Sequence, residues 1–349
     1  MKDNYKVLGD YIEPVDERNK DLSINNLLGV SISKRFIPSI ANIIGTDLSN
    51  YKIVRTGQFA YGPVTSRNGE KVSIAFLNAD DCIISSSYSV FKVTDIKQLD
   101  PQYLMLWFSR PEFDRYARYK SHGSVREIFD WDELCQVELP VPHIDKQKDI
   151  VKEYNIISDR IELKRKINDN LVAMLTSIFS ETFALQNVQD TIYLSQIISF
   201  SNGRSRPTTD GKIPVYGGNG ILSFTDKSNV ENAVLIGRVG AYCGSVYLEQ
   251  GICWVSDNAI YAKSKICGDE YFDYFLLKGL NLYNHHIGTG QQLLTQEILN
   301  KLEVPNPDIK QVIDFNTKAK SVFYSILNNQ EEIAQLQQLS DLLLAQLAN

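Results

Sequence analysis

The sequence predicts an α+β protein in which two similar strand-rich domains alternate with two long helices. Three observations predict this fold class. One sequence unit occurs twice at a separation of about 165 residues. Short β-branched and aromatic segments bounded by turn residues fill most of each copy. Each copy ends in a long helical pattern. We therefore expect a pseudo-twofold internal repeat whose two helices pair as an antiparallel coiled coil.

The repeat is clearest where each strand-rich domain ends. Residues 134–142 (LCQVELPVP) match residues 299–307 (LNKLEVPNP), and Lys146-Gln147 and Lys310-Gln311 then open the two helical patterns. Each copy is a mixed domain followed by a helix. We therefore expect four segments, which are 1–143, 144–183, 184–307 and 308–349.

Short runs of β-forming residues predict the strands of both domains. The clearest are 82–85, 90–93, 233–236 and 245–248. They are bounded by Gly, Asn, Asp or Ser, as strands commonly are. Residues 217–220 (GGNG) predict a turn, and short helices are expected around 103–108 and 271–278.

The long helices carry apolar stripes whose spacing alternates between three and four residues. This spacing is typical of coiled-coil packing. The first stripe runs from Ile150 to Ile178, and the second runs from Val312 through Leu336 to Leu339, Leu343 and Leu347. Polar residues interrupt both stripes near their centres. If the helices pair antiparallel, these residues meet and fix the register; otherwise they simply face solvent. They are Lys164, Asn168 and Asn329.

Composition excludes several classes of protein. With 43% hydrophobic residues, the chain should fold into packed domains. An apolar run near 18 residues does not occur, so we expect neither a signal peptide nor a membrane span. The five cysteines include no C-x-x-C pair, which favours free thiols in a reducing cytoplasm over disulfides or zinc. The net charge of -6 requires any DNA contact to depend on local basic patches or on partners.

Sequence signatures of catalysis are missing. The chain has no P-loop and no Asn-Pro-Pro-Tyr or Asp-Pro-Pro-Tyr motif of amino-methyltransferases. Its four histidines have no metal-ligand spacing. We therefore expect a recognition protein without catalytic or metal-binding residues.

Taken in order, these motifs resemble the specificity subunits of type I restriction-modification systems along essentially the whole chain. Residues 51–55, 59–63 and 84–88 resemble the first target-recognition domain of that family. Residues 233–240, 242–246 and 254–257 resemble the second. The family usually has Glu-Gln before each long helix, whereas this chain has Lys-Gln.

The resemblance implies a DNA-sequence specificity subunit that does no chemistry. Each target-recognition domain would read one half of an asymmetric bipartite site in double-stranded DNA, and the paired helices would set the unread spacer. Two modification subunits would dock on the helices and bring S-adenosylmethionine, and restriction subunits would bring ATP and Mg. A type IIB-like recognition subunit is the alternative. Two further hypotheses are a methyltransferase fused to recognition domains, against which the missing motifs argue, and a coiled-coil scaffold without a DNA role.

Candidate DNA-contacting residues are planar or polar side chains in turn-rich segments. Arg can pair with guanine through two donors, and Asn and Gln can pair with adenine. For each single residue, a solvated or turn-stabilising role is the competing interpretation. The candidates are Lys34, Arg35, Tyr61, Arg67, Asn68 and Arg126 in the first domain, and Arg204, Arg206, Tyr216, Asn219, Arg238, Tyr242, Gln291 and Gln292 in the second.

Overall fold

The computed structural model describes residues 5–39, 45–66, 68–69, 71–122, 127–183, 190–266, 268–288 and 290–348. Contacts divide the chain into two compact units. One unit is Met1–Leu163 with Glu332–Asn349, and the other is Lys164–Glu331. Both divisions fall inside long helices. Each unit therefore contains one strand-rich domain, which we call its head, and a part of both long helices. The four-segment division expected from the sequence stays a prediction.

The first unit contains a strand-rich head, short helices and the start of a long helix. In chain order its elements are β1 (Tyr5–Val7), β2 (Ile12–Val15), β3 (Leu28–Val30), β4 (Phe36–Pro38), β5 (Lys52–Val54), β6 (Phe59–Tyr61), β7 (Ile74–Phe76), β8 (Cys82–Ile84), β9 (Ser89–Val93), α1 (Pro101–Phe108), α2 (Pro111–Lys120), α3 (Trp131–Cys135), β10 (Glu138–Pro140) and α4 (Ile144–Thr182). Its strands form the four-stranded sheet β2-β9-β6-β7 and the pairs β1-β10, β3-β4 and β5-β8.

The second unit has the same order of parts but a larger sheet. Its elements are β11 (Thr191–Tyr193), α5 (Leu194–Ile197), β12 (Ile198–Asn202), β13 (Ile213–Gly217), β14 (Gly220–Thr225), β15 (Val230–Gly237), β16 (Val246–Val255), β17 (Ala259–Ser264), α6 (Tyr271–Gly279), α7 (Gln296–Asn300), β18 (Glu303–Pro305) and α8 (Ile309–Gln346). Six strands form one sheet in the order β12-β17-β15-β16-β13-β14, and β11 pairs with β18.

Both units close on themselves in the same way. In the first, β1 pairs antiparallel with β10, which directly precedes α4. In the second, β11 pairs antiparallel with β18, which directly precedes α8. The repeat and the α+β fold class predicted from the sequence are therefore confirmed.

Each head packs its core against long-helix residues of the same unit. In the first unit, Phe59 stacks on Phe91 with ring centroids 4.8 Å apart, and Val151, Leu344 and Leu347 join that core. In the second, Phe179 of α4 lies 5.6 Å from Phe272 of α6 and 5.5 Å from Phe315 of α8, measured between ring centroids. Buried aromatic pairs of this kind stabilise by about 0.5–1.5 kcal/mol beyond the area they bury.

The helix segments run antiparallel within each unit. In the second unit, Lys164 contacts Asn329 near one end and Phe179 contacts Phe315 near the other. In the first, Arg160 pairs with Glu332, whereas Val151 shares a core with Leu344. The predicted antiparallel pairing is confirmed.

One part of the predicted second stripe is wrong. Leu339 is exposed, and the buried positions that follow Leu336 are Ser340, Leu344 and Leu347. The period of about 3.5 residues continues from Leu336 to position 340. The prediction followed the apolar residues instead of the period and left the buried face.

An amide ties a long helix to a short helix in each unit, but from different positions. Gln147 is fully buried, accepts a hydrogen bond from the Asp100 N–H at 2.8 Å and donates to the carbonyls of Gln98 and Pro142. Its predicted counterpart, Gln311, is exposed. In the second unit Asn316 does the equivalent work, since it accepts from the Phe272 N–H at 2.7 Å.

Candidate nucleic-acid interface

Five connecting segments of the second unit meet along one rim of the head. Backbone hydrogen bonds run from Arg204 to Val255 (2.9 Å), from Ser256 to Tyr216 (2.8 Å), from Arg238 to Asn258 (3.0 Å) and from Gly240 to Gln292 (3.0 Å). We call this region, residues 203–206, 216–219, 237–245, 256–258 and 291–294, the second-unit rim. Connecting loops carried on a rigid scaffold commonly hold binding residues.

Two glycines, one in the rim and one directly beside it, shape its backbone. A Cβ atom on Gly237 would lie 2.1 Å from the carbonyl oxygen of Tyr242 and 2.9 Å from that of Gly218. Gly220 ends the β13–β14 turn with φ +75°, a conformation that glycine adopts without strain. Any side chain at position 237 would push the segments apart, so the rim depends on glycine there.

Most of the second-domain candidates are exposed on this rim. The side chains of Arg204, Arg206, Asn219, Tyr242 and Gln291 are exposed, and Gln292 and Arg238 are half-buried. Within the described part of the chain, no Asp or Glu forms an ion pair with any of the three arginines. The rim therefore presents arginine charge that is available to an anionic ligand.

Tyr216 does not belong to the exposed surface. It is buried, and its hydroxyl donates to Glu249 Oε2 at 2.8 Å. Burial and the neighbouring carboxylate raise the pKa of this tyrosine, which keeps the phenol protonated. The structure therefore gives Tyr216 of β13 a packing role, in a buried cluster that includes Leu235 and Val255.

The first-domain candidates are placed less uniformly. Arg35 is exposed in the turn between β3 and β4. Asn68 is half-buried and donates to the Val64 carbonyl at 3.3 Å. Tyr61 has no solvent exposure and lies in the core. Arg67 and Arg126 lie outside the described residues.

Lys34 points into the first unit rather than outward. Its ammonium group pairs with Asp114 at 2.7 Å, and both side chains are about nine-tenths buried. Burial lowers the pKa of Lys34, and Asp114 opposes that effect. Lys34 adopts a positive φ of 61° in a turn in which its N–H donates to the Ser31 carbonyl at 2.9 Å. We retain neither Lys34 nor Tyr61 in the DNA-contacting set.

The three polar residues of the helix stripes meet within the second unit. Lys164 Nζ donates to Asn329 Oδ1 at 2.9 Å, and Asn329 Nδ2 donates to Asn168 Oδ1 at 2.8 Å. All three are half-buried. Such a polar chain on an otherwise apolar seam has the chemistry of a register marker, and that role stays a prediction.

Asn258 is a rim residue that the sequence did not single out. It is exposed in the turn between β16 and β17, and its carbonyl accepts the Arg238 N–H. The available signal was the polar Asp257-Asn258 pair directly after an apolar strand. A turn of this composition is common without any function, so the sequence alone could not select it.

The described residues contain no group of three or more His, Cys, Asp or Glu side chains placed to hold a metal ion. None of the helices that the structure describes is long and apolar enough to cross a membrane.

The chain is similar to solved specificity subunits over its full length. It matches the S subunit of a type I restriction-modification system from M. genitalium with 16% identity and a TM-score of 0.62, covering 99% of this chain and 96% of that one. It also matches the HsdS subunit from Thermoanaerobacter tengcongensis with 15% identity and a TM-score of 0.38, covering 99% and 96%. No match to a curated protein sequence was found. The likeness to the first structure supports a shared fold.

The repeated heads, the exposed arginine rim and the antiparallel helices describe a recognition protein. The sequence model of the type I restriction modification DNA specificity domain matches the chain twice, over residues 35–173 and 191–342. Because these two matches cover most of the chain, the protein belongs to that family of DNA specificity domains.

Proposed function

We propose that this chain determines which DNA sequence a type I restriction-modification enzyme recognises. Each head would read one half of an asymmetric bipartite site. The main supporting observation is that one arrangement occurs twice, whereas the two heads differ. In each unit an antiparallel strand pair closes the head directly before a long helix, but the sheets of the two heads are different. Two recognition units fused in one chain read two half-sites, as the two halves of a DNA-binding dimer do. Because the heads differ, the half-sites should differ.

The rim chemistry supports DNA as the ligand. Arginine and amide side chains are the groups that read guanine and adenine edges in the major groove. The second-unit rim exposes both kinds, and its arginines have no described carboxylate partner. Because the chain as a whole has a net charge of -6, this local excess of arginine supports a specific anion-binding surface. Among the first-head candidates that the structure describes and we retain, Arg35 is exposed and Asn68 is half-buried.

The long helices would set the spacer and dock two modification subunits. Their free faces carry large apolar side chains that no described core covers. Ile156 and Leu163 are exposed in the first unit, and Met174 and Tyr324 are exposed in the second. Rows of exposed apolar residues on a helix are typical of protein interfaces. Such docking would place one methyltransferase with each head.

The chemistry of the enzyme would belong to the partners. S-adenosylmethionine would be bound by the modification subunits, and ATP and Mg by the restriction subunits. This chain would be a non-catalytic subunit of the cytoplasmic complex. The described cysteines, Cys82, Cys135, Cys243 and Cys253, are unpaired, which suits a reducing compartment.

Methylome sequencing of cells with and without this chain tests the proposal. We expect one bipartite adenine-methylation motif that disappears with the chain and returns when it is re-expressed. A motif that persists without the chain would contradict the proposal. Purification of the complex separates the type IIB-like alternative, which predicts one fused methyltransferase-nuclease partner. The match to type I specificity domains favours separate modification and restriction subunits.

A further inference from the structure

Arg238 is held more firmly than the other arginines of the second-unit rim. It directly follows β15, its N–H donates to the Asn258 carbonyl at 3.0 Å, and its own carbonyl accepts the Leu294 N–H at 2.8 Å. The preceding Gly237 is packed so closely against Tyr242 that no side chain fits. The backbone of Arg238 is therefore fixed from three sides.

The guanidinium of Arg238 is also restricted. Nη1 donates to the Asp257 carbonyl at 3.3 Å. Nε is sealed from solvent and has no hydrogen-bond partner among the described residues. Reading a guanine requires two adjacent donors that reach O6 and N7 together. Because Nε is inaccessible, the Nε and Nη2 pair cannot read a guanine, and Nη1 already uses one of its two N–H groups on the Asp257 carbonyl.

The charge of Arg238 nevertheless remains available. No described carboxylate forms an ion pair with it, in contrast to Arg55, whose guanidinium meets Glu17 and Asp81. A fixed cation whose Nε is sealed and whose Nη1 is already bonded to the protein suits a phosphate oxygen, which requires charge and position but no paired donors. A half-buried side chain is also poorly placed to enter a major groove about 8.5 Å deep.

Given the proposed function, we propose that Arg238 anchors a DNA phosphate and reads no base. Base reading in the second head then belongs to side chains that extend freely from the rim, namely Arg204, Arg206 and Asn219, all of which are exposed. The anchor sets the position of the head on the duplex, and the exposed side chains supply the sequence preference.

The test uses the full chain assembled with its modification subunits. Binding to cognate and unrelated duplexes is measured over a range of salt concentrations, and the methylated motif is sequenced. Arg238→Ala should weaken binding to the cognate and the unrelated duplex by the same factor. It should also make the slope of log K against log salt shallower by about 0.9 and leave the methylated motif unchanged. Arg238→Lys keeps a point charge and should recover most of the affinity.

Two matched variants complete the design. Lys278→Ala removes the same charge from the exposed end of α6 and should leave the salt slope unchanged. Arg206→Ala should reduce discrimination at one base by roughly 5- to 150-fold if it reads that base. The phosphate-anchor proposal is overturned if Arg238→Ala relaxes the sequence preference at one base of the motif or leaves DNA binding unchanged. It is also overturned if Arg238→Lys fails to recover the affinity that Arg238→Ala loses.

If Arg238→Ala does not fold, the outcome with Arg238→Lys decides alone. Failure of the proposed function has a different signature, because the wild-type complex would then give no motif that depends on this chain.

Discussion

The two units share one arrangement, a head closed by an antiparallel strand pair directly before a long helix, but differ in the ion pairs that their basic side chains form. In the first, Lys34 pairs with Asp114, Arg55 with Glu17 and Asp81, and Lys120 with Glu133. In the second, the rim arginines have no carboxylate partner among the described residues. These first-unit cations stabilise their own unit, whereas the rim arginines of the second unit are available to a ligand, although other second-unit cations such as Lys263 and Lys301 do form ion pairs. We therefore expect changes at these first-unit ion pairs to affect stability and changes at the rim arginines to affect binding.

The buried acids show the reverse contrast. Asp114 of the first unit accepts from Lys34 and from the Val72 N–H, so its charge is compensated. Asp273 of the second unit is buried on α6, and neither carboxylate oxygen makes a hydrogen bond of normal geometry within the described residues, although the Ser264 side chain partly offsets the effect of burial on its pKa. Burial raises the pKa of Asp273 to about 7. The second unit thus contains a carboxyl group that is costly to ionise.

The largest effect should come from the helices, which belong to both units. Inserting four residues after Asn168 adds about one turn, or about 5.4 Å, and nearly keeps the apolar stripe in phase. The enzyme should retain both half-sites and lengthen only the unread spacer, by one or two base pairs of about 3.4 Å. Motif sequencing of the assembled enzyme measures this change.

A two-residue insertion is the matched control. It rotates the stripe by about 200° and should abolish helix pairing and activity. An active four-residue variant with an unchanged spacer would mean that partner subunits, and not the helices, position the heads.

Lys34 and Arg204 test the charge comparison directly. Lys34→Met leaves Asp114 buried without its cation and should lower the free energy of unfolding by about 3–5 kcal/mol. Arg204→Met removes an exposed charge and should change it by less than about 0.5 kcal/mol. Urea unfolding of the free chain measures both. Equal values for the two variants would remove the distinction between a structural cation and a free one.

Asp273 should make the second unit sensitive to pH. Its folded pKa of about 7 lies above the ordinary value of 3.8, so the protonated folded form is favoured at low pH. That contribution is lost as pH rises from about 4 through 7, at a cost of about 2–3 kcal/mol between pH 5 and 8. Asp273→Asn should flatten the pH dependence of unfolding measured in urea. An unchanged pH dependence would show that another group causes it.

The sequence predicted the repeated strands and long helices well because these elements depend on local patterns. The period of the helix stripes fixed the buried faces of α4, and short β-forming runs located β8, β9, β15 and β16. The error at Leu339 arose where an apolar residue and the helical period disagreed, and packing followed the period.

The site was predicted less completely because exposure is a tertiary property. Lys34 and Tyr61 have the residue types of DNA contacts, yet Asp114 and the aromatic core draw them inward. No local pattern distinguishes Lys34 from the exposed Arg35 beside it. Asn258 shows the opposite failure, because a common turn composition concealed a residue that lies on the rim.

Exchange of the first head tests the central claim most directly. Residues 1–143 are replaced by the corresponding head of another family member, while both long helices and the second head are kept. The assembled enzyme then methylates genomic DNA for motif sequencing. We expect one half-site to change while the other half-site and the spacer stay the same. A change in both half-sites would contradict two independent recognition heads on one frame.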